Sequence, residues 1–319
     1  MKLHTNREPF STLVTLAARH FRITPAFVEK DYWITYILYK LANSAYSKNV
    51  VFKGGTSLSK GYRLINRFSE DIDIAMIEEK LSGNMLKTKI RNIEKEITSD
   101  FSEIIIPDVT SKGSMFRKSV FEYKSITSSV LSDSITKRII VEINSFTNPY
   151  PYQQQEITSF ITEFLLTTNQ EEAIEEYGMQ AFLLNILDKR RTMIEKLVSL
   201  VRFSFSENPT QAISAKIRHF YDLYYLVEDE ECAEYIQSIH FKTDFAELLI
   251  HDKEAFDTPD GWRNKDIRES PLINSFSTQW ESLRSIYQNE LSKLAFVPIP
   301  EEKLIERNFM KLMNALITE

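Results

Sequence analysis

The sequence predicts an α+β protein, a sheet-bearing N-terminal half followed by a mainly helical C-terminal lobe. Three observations carry this. Two helical runs, residues 9–20 and 25–43, precede short segments in which charged and apolar residues alternate. Beyond Asn169 the apolar spacing is almost wholly helical. Between these regions TNPYPYQQQE (Thr147–Glu156) holds two prolines and no regular apolar pattern, which marks a boundary. The expected domains are residues 1–155, with the N-terminal helices and the chemistry, and 156–319, a helical domain contributing to the active-site cleft.

PFSTLVTLAARH reads as a first helix, and PAFVEKDYWITYILYKLAN as a second that starts on a proline and carries Glu29 and Asp31 early. NVVF (Asn49–Phe52) is a short strand, GGTSLSKGYRLI opens a helix, and EDIDIAM (Glu70–Met76) alternates as a half-buried strand. A helix over Asn84–Ile97 follows, then strands at Ser102–Pro107, Met115–Tyr123 and Thr136–Ser145. In the last strand Ile140, Glu142 and Asn144 share one face, and Ile139, Val141 and Ile143 the other. EEAIEEYGMQAFLLNILDKRRTMIEKLVSLVRFSF reads as one or two helices and Thr210–Val227 as another. Shorter helices are expected at Cys232–Ile239 and Phe241–Ile250, with a last helical region around Ser277–Leu294 and Glu301–Ile317. Tyr32, Trp33, Phe220, Tyr221, Tyr224 and Tyr225 read as core aromatics, and His251–Trp262 as a surface loop.

The 319 residues, 43% hydrophobic and 26% charged, suffice for a substantial core. A single cysteine, Cys232, excludes an internal disulfide and a cysteine-rich zinc site, and it fits a reducing cytoplasm. No segment has the roughly 18 consecutive apolar residues of a membrane span, so a cytoplasmic protein with no membrane partner is expected. The net charge of −6 means that nucleic acid, if bound, is held by local patches. Lys189-Arg190-Arg191, Lys216 with Arg218, and Lys112 with Arg117 and Lys118 are the candidates, each equally an ordinary solvated face.

Gly54 and Gly55 lie between a strand and a helix, where the missing Cβ lets the backbone turn sharply and approach a phosphate. Thr56 and Ser57 add hydroxyls. The blander reading is a tight connection; a Walker A loop is excluded because GK[ST] is absent. Asp71 and Asp73, at i and i+2 of a strand, present two carboxylates side by side while Ile72 and Ile74 turn to the core. Magnesium suits such a pair together with substrate phosphates, with Glu142 on a neighbouring strand as a third metal ligand. Arg67 and Ser69 stand just ahead of the strand: Arg67 contacts phosphate or pairs with Glu70, and Ser69 binds nucleotide or caps the turn.

FKGGTSLSKGYRLINRFSEDIDI resembles the AbiEii/AbiGii-type nucleotidyltransferase toxins of type IV toxin–antitoxin systems, in the DNA polymerase β-like nucleotidyltransferase superfamily. The pattern GG[TS]xL is met at Gly54, Gly55, Thr56 and Leu58, and RxSxDID at Arg67, Ser69, Asp71, Ile72 and Asp73. IEKLVSL (Ile194–Leu200) offers the family's lysine as Lys196, and RHFYDLYYL (Arg218–Leu226) its aspartate as Asp222, with His219 where an aspartate is frequent. The resemblance implies a polymerase β-like core, a mixed sheet flanked by helices. It also implies Lys196 as a nucleotide contact and Asp222 as a positioning group, both otherwise readable as salt-bridge residues. Its implied reaction moves an NMP from an NTP, with Mg2+ or Mn2+, to an acceptor such as the 3′ end of tRNA. An antitoxin encoded alongside restrains the enzyme. Transfer to a small molecule such as an antibiotic, transfer to a protein hydroxyl, and a non-catalytic nucleotide- or partner-binding module remain as alternatives.

Overall fold

The computed structural model of the chain describes residues 1–69, 71–77, 81, 83–127 and 137–317. It divides into two compact units, Met1–Arg63 with Phe68–Leu187, and Leu64–Arg67 with Asp188–Glu319. Among the described residues no helix is long and apolar enough to cross a membrane.

Among the described residues the first unit is built on a mixed sheet of eight strands: β1 (Val50–Lys53), β2 (Asp71–Met76), β3 (Ser102–Ile104), β4 (Ser111–Lys112), β5 (Phe116–Glu122), β6 (Arg138–Asn144), β7 (Tyr152–Ile157) and β8 (Phe182–Leu187). The order is β3-β5-β6-β2-β1-β8-β7, with β4 on β5. β2 runs antiparallel to β1 and parallel to β6, and β1 runs parallel to β8. Period-two alternation makes the central strands two-faced: Ile72, Ile74, Ile139, Val141 and Ile143 are fully buried, whereas Asp71, Asp73 and Glu142 are half-buried on the opposite face.

Helices α1 (Arg7–Phe21), α2 (Pro25–Ala42), α3 (Gly54–Lys60), α4 (Gly83–Ile97), α5 (Phe160–Thr167) and α6 (Glu171–Tyr177) complete this unit. Pro25 at the first turn of α2 supplies a pre-set φ where its missing N–H costs nothing. α2 then buries Val28, Tyr32, Ile34, Ile37, Leu38 and Leu41, and with them three charged residues. The Glu29 carboxylate accepts from Ser125 Oγ, the Ile126 and Thr127 amides and Thr127 Oγ1. Asp31 pairs with Lys60 at the end of α3 and accepts from the Phe160 amide that opens α5. The Lys30 ammonium lies 5.6 Å from the centroid of the Phe68 ring.

The domain boundary expected at residue 155 falls inside β7, and the sheet-bearing unit runs on to Leu187. β7 is an edge strand, where exposed Gln and Glu side chains cost nothing, so its polar run resembles a linker. β8 stands where the sequence reads as helical. FLLNIL is apolar except for Asn185 and its last four residues are buried, as in a strand between neighbours, and periodicity does not separate such a run from buried helix. Glu70 and Thr136, the first residues of two expected strands, lie outside the described residues.

The second unit contains α7 (Lys189–Phe203), α8 (Pro209–Ser214), α9 (Arg218–Glu228), α10 (Glu230–Ile236), α11 (Ile239–Ala255), α12 (Pro271–Asn274), α13 (Phe276–Leu294) and α14 (Glu302–Ile317). Asp188 caps α7 through the Arg190 amide, and Asp229 caps α10 through that of Cys232. Phe220 packs against Phe276, Trp280 and Phe309, joining α9 to α13 and α14. The segment Leu64–Arg67 is stitched to the end of α13 by an Arg67–Ala295 bridge and a 2.8 Å bond from the Phe296 amide to the Asn66 carbonyl.

Residues 251–262 are more than a surface loop. α11 continues to Ala255, and Trp262 is fully buried with its Nε1 donating to the Phe256 carbonyl at 3.0 Å. The Arg202 guanidinium lies 4.1 Å from the Phe256 ring centroid and 5.9 Å from that of Trp262. Trp262→Ala removes both the indole volume and that ring, and is expected to cost about 3–5 kcal/mol in chemical denaturation; a loss within 0.5 kcal/mol would contradict a core role for this turn.

Candidate active site

β1 ends at Lys53, and the chain reverses at Gly54 with φ of 79°, a left-handed conformation that favours glycine. A second demand falls on the same residue. A Cβ built on Gly54 would overlap the Asp73 carboxylate, so the glycine gives the backbone its close approach to the acid. Gly55 follows, partly exposed, in the first turn of α3.

Asp71 and Asp73 project from one face of β2, as the i, i+2 spacing requires. The parallel register with β6 pairs Asp73 with Glu142, and the antiparallel register with β1 pairs Asp73 with Lys53. Three carboxylates thus share one face of two adjacent strands. The next strand adds a cation that sequence reasoning noted only as surface charge. Lys118 of β5 is in register with Glu142, and its Nζ lies 2.6 Å from Glu142 Oε1. Burial opposes the charged form of Lys118, but its hydrogen bond to Glu142 and the charges of Glu142, Asp71 and Asp73 prevail and raise its pKa. Among the described residues no group of three or more His, Cys, Asp or Glu side chains is gathered as a metal cage. The expected three-carboxylate cage is therefore not closed, with Glu142 engaged by Lys118. The donor chemistry still suits a hard cation, because all three groups are half-buried carboxylates on one face.

The hydroxyls of Thr56 and Ser57 point inward. Thr56 Oγ1 donates to the Asp71 carbonyl, tying α3 to β2, and Ser57 Oγ donates to the Gly54 carbonyl at 2.8 Å. Both residues are buried, so their side chains brace the turn instead of donating outward. Ser69 is partly exposed in the irregular segment entering β2.

Arg67, Lys196 and Asp222 meet within the second unit. Arg67 grips Asp222 through Nε and Nη2, each at 2.7 Å, and Lys196 Nζ lies 2.8 Å from the same carboxylate. Asp222 is completely buried and Arg67 only 3% exposed. Arg67 is held in a forked ion pair with a residue 155 positions away, and Glu70, its alternative partner, lies outside the described residues. Burial alone pushes the Asp222 carboxyl upward, but the charges of Arg67 and Lys196 and their hydrogen bonds hold it well below the usual carboxylate range. Burial, and then the ammonium groups of Lys196 and Lys216, keep His219 neutral to well below its ordinary pKa.

Gly54→Ala is expected to cost about 1–3 kcal/mol in chemical denaturation, because both φ and the Asp73 carboxylate exclude the methyl group, and an unchanged midpoint would refute the close approach. Asp222→Asn removes the anion that two buried cations share, for an expected loss of about 3–5 kcal/mol at pH 7. A carboxylate with a depressed folded pKa contributes fully above its unfolded value of about 4 and loses that contribution as the pH falls through the folded one. The urea-melt difference between Asp222→Asn and the native chain should therefore be the same at pH 5 and pH 7.

The family described as nucleotidyl transferase AbiEii toxin, type IV TA system, matches residues 36–302. Among solved structures, MenT4, a nucleotidyltransferase toxin from Mycobacterium tuberculosis H37Rv, superposes with a TM-score of 0.62 at 16% identity, covering 96% of this chain and 90% of that one. No curated protein sequence matches. That likeness shows the fold, a polymerase β-like core of mixed sheet and flanking helices with a helical C-terminal lobe. The match over most of the length shows the family: the chain belongs to the AbiEii nucleotidyltransferase toxins of type IV toxin–antitoxin systems.

Proposed function

We propose that the chain transfers an NMP from an NTP to the 3′ end of tRNA, using Asp71, Asp73 and Glu142 as the metal-binding carboxylates. The observation that carries this is the β2–β6 register. It sets Asp73 beside Glu142 with Asp71 on the same face, and Gly54 brings the β1–α3 turn against Asp73. Magnesium or manganese held by these oxygens supplies charge neutralisation for the triphosphate and lowers the pKa of an attacking hydroxyl. The acceptor oxygen forms a bond to the α-phosphorus, the bond to the bridging oxygen breaks, and pyrophosphate leaves. The backbone at Gly54 and Gly55, with Ser69, lies against the nucleotide. Thr56 and Ser57 act indirectly, by bracing that turn. Lys196 and Asp222 retain the nucleotide-contact and positioning roles that the resemblance implies. Arg67 joins them as a positioning residue, through its forked pair with Asp222. A cognate antitoxin is the expected protein partner of a type IV toxin.

The tRNA reading requires basic surface on a chain of net charge −6. Lys189 is bound to Asp229 and Glu231, and Arg190 to Asp188. Lys112, Arg117 and Lys118 are bound to Glu103, Glu94 and Glu142. Two other rows support the reading: Lys87, Arg91 and Lys95 on α4, and Lys303, Arg307 and Lys311 on α14. All six are exposed and spaced by four, so each row follows one helix face.

The deciding experiment is label transfer from each α-labelled NTP, with magnesium, into total tRNA, comparing the native chain with Asp71→Asn/Asp73→Asn. Label at the 3′ end that requires the aspartates is expected. A folded native chain that labels no tRNA from any NTP would exclude tRNA as acceptor. For the surface, reversing Lys87, Arg91 and Lys95 to glutamate should weaken tRNA binding and reduce the slope of log K against log salt by about 2–3. An unchanged slope would remove α4 from the tRNA path.

A further inference from the structure

The face of the sheet that bears the carboxylates is not purely acidic. Asp71, Asp73 and Glu142 come from β2 and β6, and β5 places Lys118 beside them in register with Glu142. The arrangement is local to the strands. Lys118 Nζ sits 2.6 Å from Glu142 Oε1, with both side chains largely shielded at 27% and 21% exposure. The charges of Asp71 and Asp73 act on the same ammonium. Lys118 therefore supplies positive charge where a divalent ion is needed, and holds one of the carboxylates that such an ion would use.

We infer that Lys118 is a tethered counter-cation: it occupies Glu142 until a divalent ion enters, and entry of the ion releases its ammonium from that carboxylate. Three like charges on adjacent strands repel, and at half-buried positions water screens them only in part. An ammonium on a neighbouring strand offsets this without an ion. It also sets a threshold, because a metal must overcome both the Lys118–Glu142 pair and the repulsion of the lysine charge. A triphosphate brings negative charge that compensates the released ammonium, so the ion binds more readily with nucleotide than alone. The device couples metal occupancy to substrate.

This inference rests on the reading of Asp71, Asp73 and Glu142 as metal ligands, and the test separates the two. Mn2+ binding is measured by calorimetry on the full chain, without nucleotide and with a non-hydrolysable NTP analogue. The chains compared are native, Lys118→Met, Lys118→Arg, and Lys118→Met with Asp71→Asn/Asp73→Asn, each checked for folding by circular dichroism. Lys118→Gln replaces the methionine variant if that one does not fold.

Without nucleotide, Lys118→Met should bind Mn2+ at least about tenfold more tightly than the native chain, consistent with loss of one nearby cation. Lys118→Arg should bind as the native chain does. The gain from the NTP analogue should shrink in Lys118→Met, because the ammonium paired with Glu142 is no longer there to be compensated. If the neutral variants bind Mn2+ no more tightly than the native chain, while binding still requires Asp71 and Asp73, the counter-cation role is wrong and the metal site stands. If no chain binds Mn2+ even with the analogue, or binding survives loss of both aspartates, the metal-site reading fails and this inference falls with it.

Discussion

The register between β2 and β6 is the constraint on which the candidate site depends. Side chains alternate with a period of two, so a slip of one residue would send Asp71 and Asp73 into the core and bring Ile72 and Ile74 out. Ile72 and Ile74 are fully buried, and carrying them out to the carboxylate face while driving two carboxylates into the core opposes that slip. Hydrophobic burial on one face thus gathers like charges on the other. The acids could not have assembled by mutual attraction; they are placed by what lies behind them.

The buried charges elsewhere follow the same comparison of costs, with different outcomes. Glu29 is completely buried, yet four donors from the 125–127 segment satisfy both its oxygens. Asp31 has one ammonium and one backbone amide; burial outweighs them and its pKa rises. Asp222 has a forked guanidinium and an ammonium, and its pKa falls despite complete burial. The number of cationic partners separates the two aspartates. It also explains why Asp222 serves as an anchor: an anion held by two cations keeps its charge across the physiological range.

Much of the sheet-bearing unit is legible in the sequence because its signals are local. The turn at Gly54, the i, i+2 aspartates and the alternation around Glu142 each lie within a few residues, and the structure places them as the spacing requires. What is illegible is pairing at a distance. Arg67 and Asp222 are separated by 155 positions, and no local pattern links them. Lys118 has the same history: β5 is recognisable as a strand, but that Lys118 faces Glu142 follows only from register. β7 and β8 are missed for opposite reasons. One is an edge strand polar enough to resemble a loop, the other is buried enough to resemble a helix.

The basic surface shows how adjacency in sequence misleads. Consecutive residues on a helix lie about 100° apart, so the run Lys189-Arg190-Arg191 fans around α7, and its first two members are each taken up by nearby carboxylates. Lysines or arginines four apart instead stack along one face. Lys87, Arg91 and Lys95 read weakly as a string because Lys89, Glu94 and Glu96 are interleaved with them. Glu94, however, is buried and turned inward to Arg117, which removes one acid from the exposed row and leaves Glu96 beside Lys95. A chain of net charge −6 can therefore present a concentrated positive stripe. Helical periodicity, the burial of one glutamate and the local excess of basic residues in α4 produce it, although the chain as a whole is acidic.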